Sequence, residues 1–162
     1  MSALSLFLAL VLAVAAAHKL LNRDRLAVAT SRLTGLPVPT AALASHAAAV
    51  VEGLAALALL FAETRAVGGA VAAALWLGYA FLLSRRLGQS LDCGCSLGQR
   101  EKPVSIALVA RAFGLSALAL IAAFAPHEAF SAETPFAALG FLALYLALDE
   151  LLALPRPVWR TR

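Results

Sequence analysis

Five long apolar runs separated by short polar ones set the pattern of this chain. The runs cover residues 2–21, 40–62, 66–84, 104–125 and 134–154. Each is close to the ~20 residues that an α-helix needs to cross a ~30 Å hydrocarbon layer. The pattern predicts an all-α fold: a polytopic membrane helical bundle with four to five transmembrane helices, forming a single membrane domain over residues 1–162. The count is four to five because the fifth run carries Asp149 and Glu150 in its last turns.

Between the second and third runs stand only Glu63, Thr64 and Arg65, which predicts a tight helical hairpin. Pro37 and Pro39 mark the first connection as a loop. Pro103 falls in the first turn of the fourth run, where the missing N–H costs nothing. Pro126 ends that run and Pro135 opens the fifth. Ala15-Ala16-Ala17 looks like a signal cleavage site, but Met1-Ser2-Ala3 lacks the basic residue of a secretory leader. The first run is therefore read as a retained span.

Composition agrees with this pattern. Hydrophobic residues make up 62% of the 162 positions and charged residues 14%, with a mean hydropathy of +0.88. A soluble domain has about 45–50% apolar and about 25% charged residues. The formal net charge is +4, yet the basic residues flank apolar runs and no basic stripe with interleaved aromatics occurs. Nucleic-acid binding is thereby excluded as the reading of that charge. The basic residues instead give a topology. One side collects Lys19, Arg23, Arg25 and Arg32, then Arg85, Arg86, Arg100 and Lys102, then Arg156, Arg160 and Arg162; the other holds Arg65. Short Lys/Arg-rich loops stay cytoplasmic. The prediction is a multi-pass protein of a bacterial inner membrane, N-terminus out, with the loop between the third and fourth runs on the cytoplasmic side.

Ionisable groups within the runs narrow the search for chemistry, because each costs about 2.5–3.5 kcal/mol at a helix centre on insertion scales. They are Lys19, His46, Glu52, Arg111, Asp149 and Glu150. At 1.5 Å per residue they all fall in the half of the bundle nearest the predicted cytoplasmic side. Ser45, Ala48, Ala49 and Glu52 share one helix face, and its small residues admit a close neighbour. Glu52 is expected to point inward at a cation, either Lys19 or Arg111. Such a pair reads equally as a lock on helix packing or as a polar pocket that tunes thiols. His46 reads as an interfacial residue at the edge of that pocket, as do His18 and His127. Asp149 and Glu150 either reach water or pair with Lys19. Trp76 and Tyr79 read as mid-span packing, and Trp159 as an interfacial anchor.

Cys93 and Cys95 are the two cysteines of the chain, one glycine apart in Asp92-Cys93-Gly94-Cys95-Ser96-Leu97-Gly98. Gly94 permits the unusual dihedrals that a ring closed across one residue demands. Such a ring departs from preferred disulfide geometry, and strain makes a disulfide a readier oxidant. The neighbouring Arg85, Arg86, Arg100 and Lys102 favour thiolate, and Asp92 opposes it. Three readings stand: thiol–disulfide exchange, a soft-metal site such as Cu(I), and idle reduced thiols. The single methionine weakens the second. Cys93 and Cys95 are the candidate catalytic pair, with Lys19, Glu52, Arg111 and His46 as supporting groups.

Three stretches together resemble the MauE proteins of methylamine utilisation, membrane relatives of the DoxX group. They are Ala17-His18-Lys19-Leu20 ending the first run, Val50-Val51-Glu52-Gly53-Leu54 in the second, and Asp92-Cys93-Gly94-Cys95. The resemblance spans the first four runs. It implies a role in forming disulfides of methylamine dehydrogenase, together with MauD, a thioredoxin-like membrane-anchored partner. Cys93 and Cys95 would be the redox pair, with Lys19 and Glu52 as matching polar positions. MauE loops usually read Cys-Gly-Cys-Phe-Gly, whereas Ser96-Leu97 stands here in place of the Phe. The dehydrogenase is periplasmic, opposite to the side that the charge bias gives this loop. The rival classes are a non-catalytic assembly or anchoring subunit and a quinone-binding membrane protein. No cofactor beyond the cysteine pair is required, and a quinone is compatible.

Overall fold

The computed structural model describes residues 2–91, 102–126 and 131–153. Six helices lie among them: α1 (Ala3–Leu21), α2 (Arg23–Thr34), α3 (Val38–Leu60), α4 (Arg65–Ser84), α5 (Ile106–Phe124) and α6 (Thr134–Ala153). Four of these, α1, α3, α4 and α5, are long and apolar enough to cross a membrane. The apolar part of α6 is shorter, Thr134–Leu148. The protein is a multi-pass helical bundle with helices where the hydropathy predicts spans.

The ends of these helices have local causes. Ser2 caps α1, its hydroxyl accepting the Ser5 N–H at 3.2 Å. Pro37 stands at the N-cap of α3 and Pro39 in its first turn, where a proline removes no helical hydrogen bond. Between α3 and α4, Thr64 donates its hydroxyl to the Ala58 carbonyl, closing the tight turn expected there.

The first connection differs from expectation. It is not a loop: residues 23–34 form α2, which packs on α3. Gly35 ends this helix in the left-handed region at φ 81°, and its N–H bonds the Ser31 carbonyl. Leu26, Ala27 and Ala29 are its buried face. Leu33 packs against a cluster of Ala80, Leu83, Val104, Val109 and Ala112. α2 thus lies at the end of the bundle where α4 finishes and α5 begins.

Small residues let the spans approach closely, as packing in lipid favours. The α4–α5 pairing is the most extensive in the bundle. At Gly69 the backbone of α5 is so near that a Cβ would lie 2.8 Å from the Ala119 carbonyl oxygen. Ser116 donates to the Ala73 carbonyl at 3.1 Å across the same seam. The main core joins Phe7, Leu8 and Leu12 of α1 to Leu59, Trp76 and Leu115. α6 docks on α1, setting Phe141 and Tyr145 edge-on to Phe7 at 6.0 and 6.1 Å. Arg65 opens α4 as a buried residue rather than a loop one, and its guanidinium donates to the Ala125 carbonyl at the end of α5.

Candidate functional site

Three helices bring one ionic cluster together inside the bundle. On α3 the buried face runs through Ser45, Ala49, Glu52, Ala55 and Leu59, so Glu52 points inward as its spacing predicts. Lys19, in the last turn of α1, donates to both carboxylate oxygens of Glu52, at 2.8 Å to Oε1 and 2.9 Å to Oε2. Tyr79 of α4 donates its hydroxyl to Oε1 at 2.7 Å. The Lys19 ammonium also stands 5.4 Å from the centre of the Tyr79 ring. Glu52 is 1% exposed and Lys19 8%.

The physical logic is charge cancellation. A carboxylate in hydrocarbon needs a counter-charge and donors for its lone pairs. Here Lys19 provides the first and, with Tyr79, the second. The ring of Tyr79 adds a face that attracts the ammonium. A buried ion pair of this kind adds little net stability but penalises any packing in which the partners miss each other. It therefore fixes the register of α1, α3 and α4.

Sequence reasoning left two cations open for Glu52, and the structure selects Lys19. Arg111, on α5, places its guanidinium 5.2 Å from the centre of the Tyr145 ring on α6. His46 bonds the Ala42 carbonyl of its own helix through Nδ1 at 2.8 Å. Neither is among the hydrogen-bond partners of Glu52. Glu150 is exposed and Lys19 is engaged by Glu52, while the Asp149 side chain lies outside the described ones. Tyr79, read from sequence as packing, belongs to the cluster. The signal available was a tyrosine in mid-span, since a phenolic O–H in hydrocarbon must find an acceptor.

The cluster sits near one end of the bundle. Tyr79 is five residues from Ser84, the end of α4, or about 8 Å along the helix axis. Beyond that end the chain turns at Gly88, φ 79°, whose N–H bonds the Val104 carbonyl at 2.9 Å. Two short antiparallel strands follow, β1 (Ser90–Leu91) and β2 (Lys102–Pro103), paired in the register Ser90↔Pro103 and Leu91↔Lys102. This stem contacts α2. Arg86 ties it down, donating from Nε to the Leu33 carbonyl of α2 at 3.2 Å. Residues 92–101, with Cys93, Cys95 and Arg100, lie outside the described residues.

These features define a small polytopic membrane protein with a buried Lys–Glu–Tyr cluster and a short β1–β2 stem at the same end. The chain belongs to the MauE family: the family model described as methylamine utilisation protein MauE matches residues 1–125. Two relatives carry the same description. The methylamine utilization protein MauE of Methylophilus methylotrophus is 32% identical, covering 93% of this chain and 85% of its own. That of Paracoccus denitrificans is 33% identical, covering 87% and 77%. No solved structure matches the chain. The family match ends with α5, so α6 lies beyond it.

Proposed function

We propose that this chain is a membrane thiol–disulfide exchange protein that assists maturation of methylamine dehydrogenase. Its partner in this reading is a thioredoxin-like, membrane-anchored protein of the MauD kind. The observation that carries the proposal is the β1–β2 stem at the end of the bundle where α4 finishes, because in sequence Cys93-Gly94-Cys95 falls between its two strands. Membership of the MauE family supplies the pathway.

In the exchange step a thiolate attacks one sulfur of the other protein's disulfide, forming a mixed disulfide and releasing a thiolate. The second thiolate of the attacking pair then attacks its partner's sulfur in the mixed disulfide, which breaks the intermolecular bond and releases the other protein's second sulfur as a thiolate. One dithiol becomes a disulfide and the other disulfide becomes a dithiol, so two electrons and two protons change sides and no further reagent is consumed. Cys93 and Cys95 form one of the two pairs. Lys19, Glu52 and Tyr79 hold α1, α3 and α4 in register beneath the hairpin. The proposed placement is a bacterial inner membrane, N-terminus out, with the hairpin on the cytoplasmic side, following the Lys/Arg bias.

The test is replacement of both cysteines, Cys93→Ser with Cys95→Ser, in a cell that depends on this chain to mature the dehydrogenase. The small subunit is expected to lose its disulfides. Either single variant is expected to trap a mixed disulfide with the partner, visible on a non-reducing gel. Full maturation by the double variant would replace this reading with that of an assembly subunit, for which the buried ion pair alone suffices. Thiol labelling from each side of intact cells reads the side of the hairpin directly.

A further inference from the structure

Two cavities on α4 meet at one residue. The first lies at the end of the bundle, has a volume of ≈ 250 Å³, and is bounded by Leu33, Thr34, Leu82, Arg85 and Arg86. The second is a groove of ≈ 380 Å³ between α3 and α4, with Val51, Val71, Leu75, Gly78 and Tyr79 among its walls. Leu82 lines both, so the two cavities adjoin at that residue.

Their chemistries are complementary halves of an amphiphile. The end cavity is lined by the apolar Leu33 and Leu82 together with Arg85 and Arg86. Arg86 is anchored by its Nε bond to the Leu33 carbonyl, and Arg85 places its guanidinium 5.7 Å from the centre of the Phe81 ring. Thr34 is already committed, donating to the Thr30 carbonyl and accepting the Leu36 N–H. Among the described lining residues the remaining side-chain donors are therefore cationic N–H groups, which suit a phosphate oxygen. The groove offers no charge among its lining residues. From Val71 to Leu82 it follows the helix for about 16 Å, which is about half of a ~30 Å hydrocarbon core, the depth of one leaflet. Gly78 keeps it open, since nothing lies within 4 Å of where its Cβ would stand.

We propose that the cavity and groove form one binding site for an anionic phospholipid, with the phosphate at Arg85 and Arg86 and an acyl chain along α3 and α4. The chain would cover the outer face of Tyr79, sealing the Lys19–Glu52 pair from the membrane side. This site does not depend on the chemistry of the cysteines.

The test uses the full-length protein in nanodiscs, with phosphatidylglycerol and phosphatidylcholine of identical acyl chains, and retained lipid measured by native mass spectrometry. Phosphatidylglycerol is expected to be retained about thirtyfold over phosphatidylcholine, the scale set by two arginines at a membrane surface. Arg85→Gln with Arg86→Gln is expected to bring that ratio to near one. Gly78→Leu fills the groove without altering the arginines, and is expected to lower retention of both lipids while preserving their ratio. Glycerol phosphate without chains is expected not to compete. Equal retention of the two lipids by the unaltered protein overturns the proposal, as does a ratio that survives loss of both arginines. Competition by glycerol phosphate at the lipid's own concentration also overturns it, because the site would then be one for a soluble phosphate. Helical circular dichroism of each variant in phosphatidylcholine separates lost binding from lost folding.

Discussion

Replacing Glu52 by Gln while Lys19 remains leaves an ammonium that is 8% exposed facing a neutral amide. The pair it loses is bidentate, at 2.8 and 2.9 Å. Breaking a buried ion pair from one side costs about 3–5 kcal/mol, and the insertion cost of a single charge, about 2.5–3.5 kcal/mol, points to the lower end. Glu52→Gln is therefore expected to destabilise the bundle by about 3 kcal/mol. Lys19→Met, which strands the carboxylate with Tyr79 as donor, is expected to cost a similar amount. The double variant strands neither charge, and the Gln oxygen can still accept from Tyr79. It is expected to be no less stable than either single variant, leaving about 3 kcal/mol of coupling in the cycle. The assay is reversible unfolding in mixed micelles of dodecyl maltoside and dodecyl sulfate, followed by helical circular dichroism. Additivity within about 0.5 kcal/mol would refute the reasoning, because the two charges would then not be energetically paired.

Tyr79→Phe removes one charge-assisted donor while keeping the ring, and is expected to cost about 1.5–3 kcal/mol in the same unfolding assay. Gly69→Ala is expected to lower stability by about 1–3 kcal/mol, since the added Cβ meets the Ala119 carbonyl oxygen at 2.8 Å and the Ala123 Cβ at 2.7 Å. Gly78→Ala, which meets nothing within 4 Å, is expected to be neutral or stabilising by up to about 1 kcal/mol through helix propensity. Equal losses at the two glycines would contradict the close α4–α5 approach.

The spans were legible in the sequence because an apolar run of span length has few alternatives in lipid. The inward direction of Glu52 was legible from the spacing of Ser45, Ala49 and Glu52. Its partner was not, because Lys19 and Arg111 lie on different helices and helix order in space is not written in hydropathy. α2 escaped for a related reason. Its residues are too polar to register as a span, and Pro37 and Pro39 drew the eye to a loop. The helix stop at Thr34-Gly35 and the apolar positions Leu26, Ala29 and Leu33 were the signals that could have found it. Tyr79 was assigned by its ring, whereas the hydroxyl decides its neighbours. The cysteine pair was visible as chemistry from the outset; the fold adds the stem whose strands flank it in sequence and the arginine that fastens that stem to α2.

The Lys19–Glu52 pair also imposes a schedule on biogenesis. The partners are 33 residues apart in the chain, so at about 5–20 residues per second the ribosome leaves Lys19 without its counter-ion for about 2–7 s. Its position in the last turn of α1 suits that interval, since a long side chain there can reach the headgroups until Glu52 arrives. Tyr79 follows 27 residues after Glu52. The three members of the cluster are thus synthesised in the order Lys19, Glu52, Tyr79, and the two charges that cancel are both made before the tyrosine.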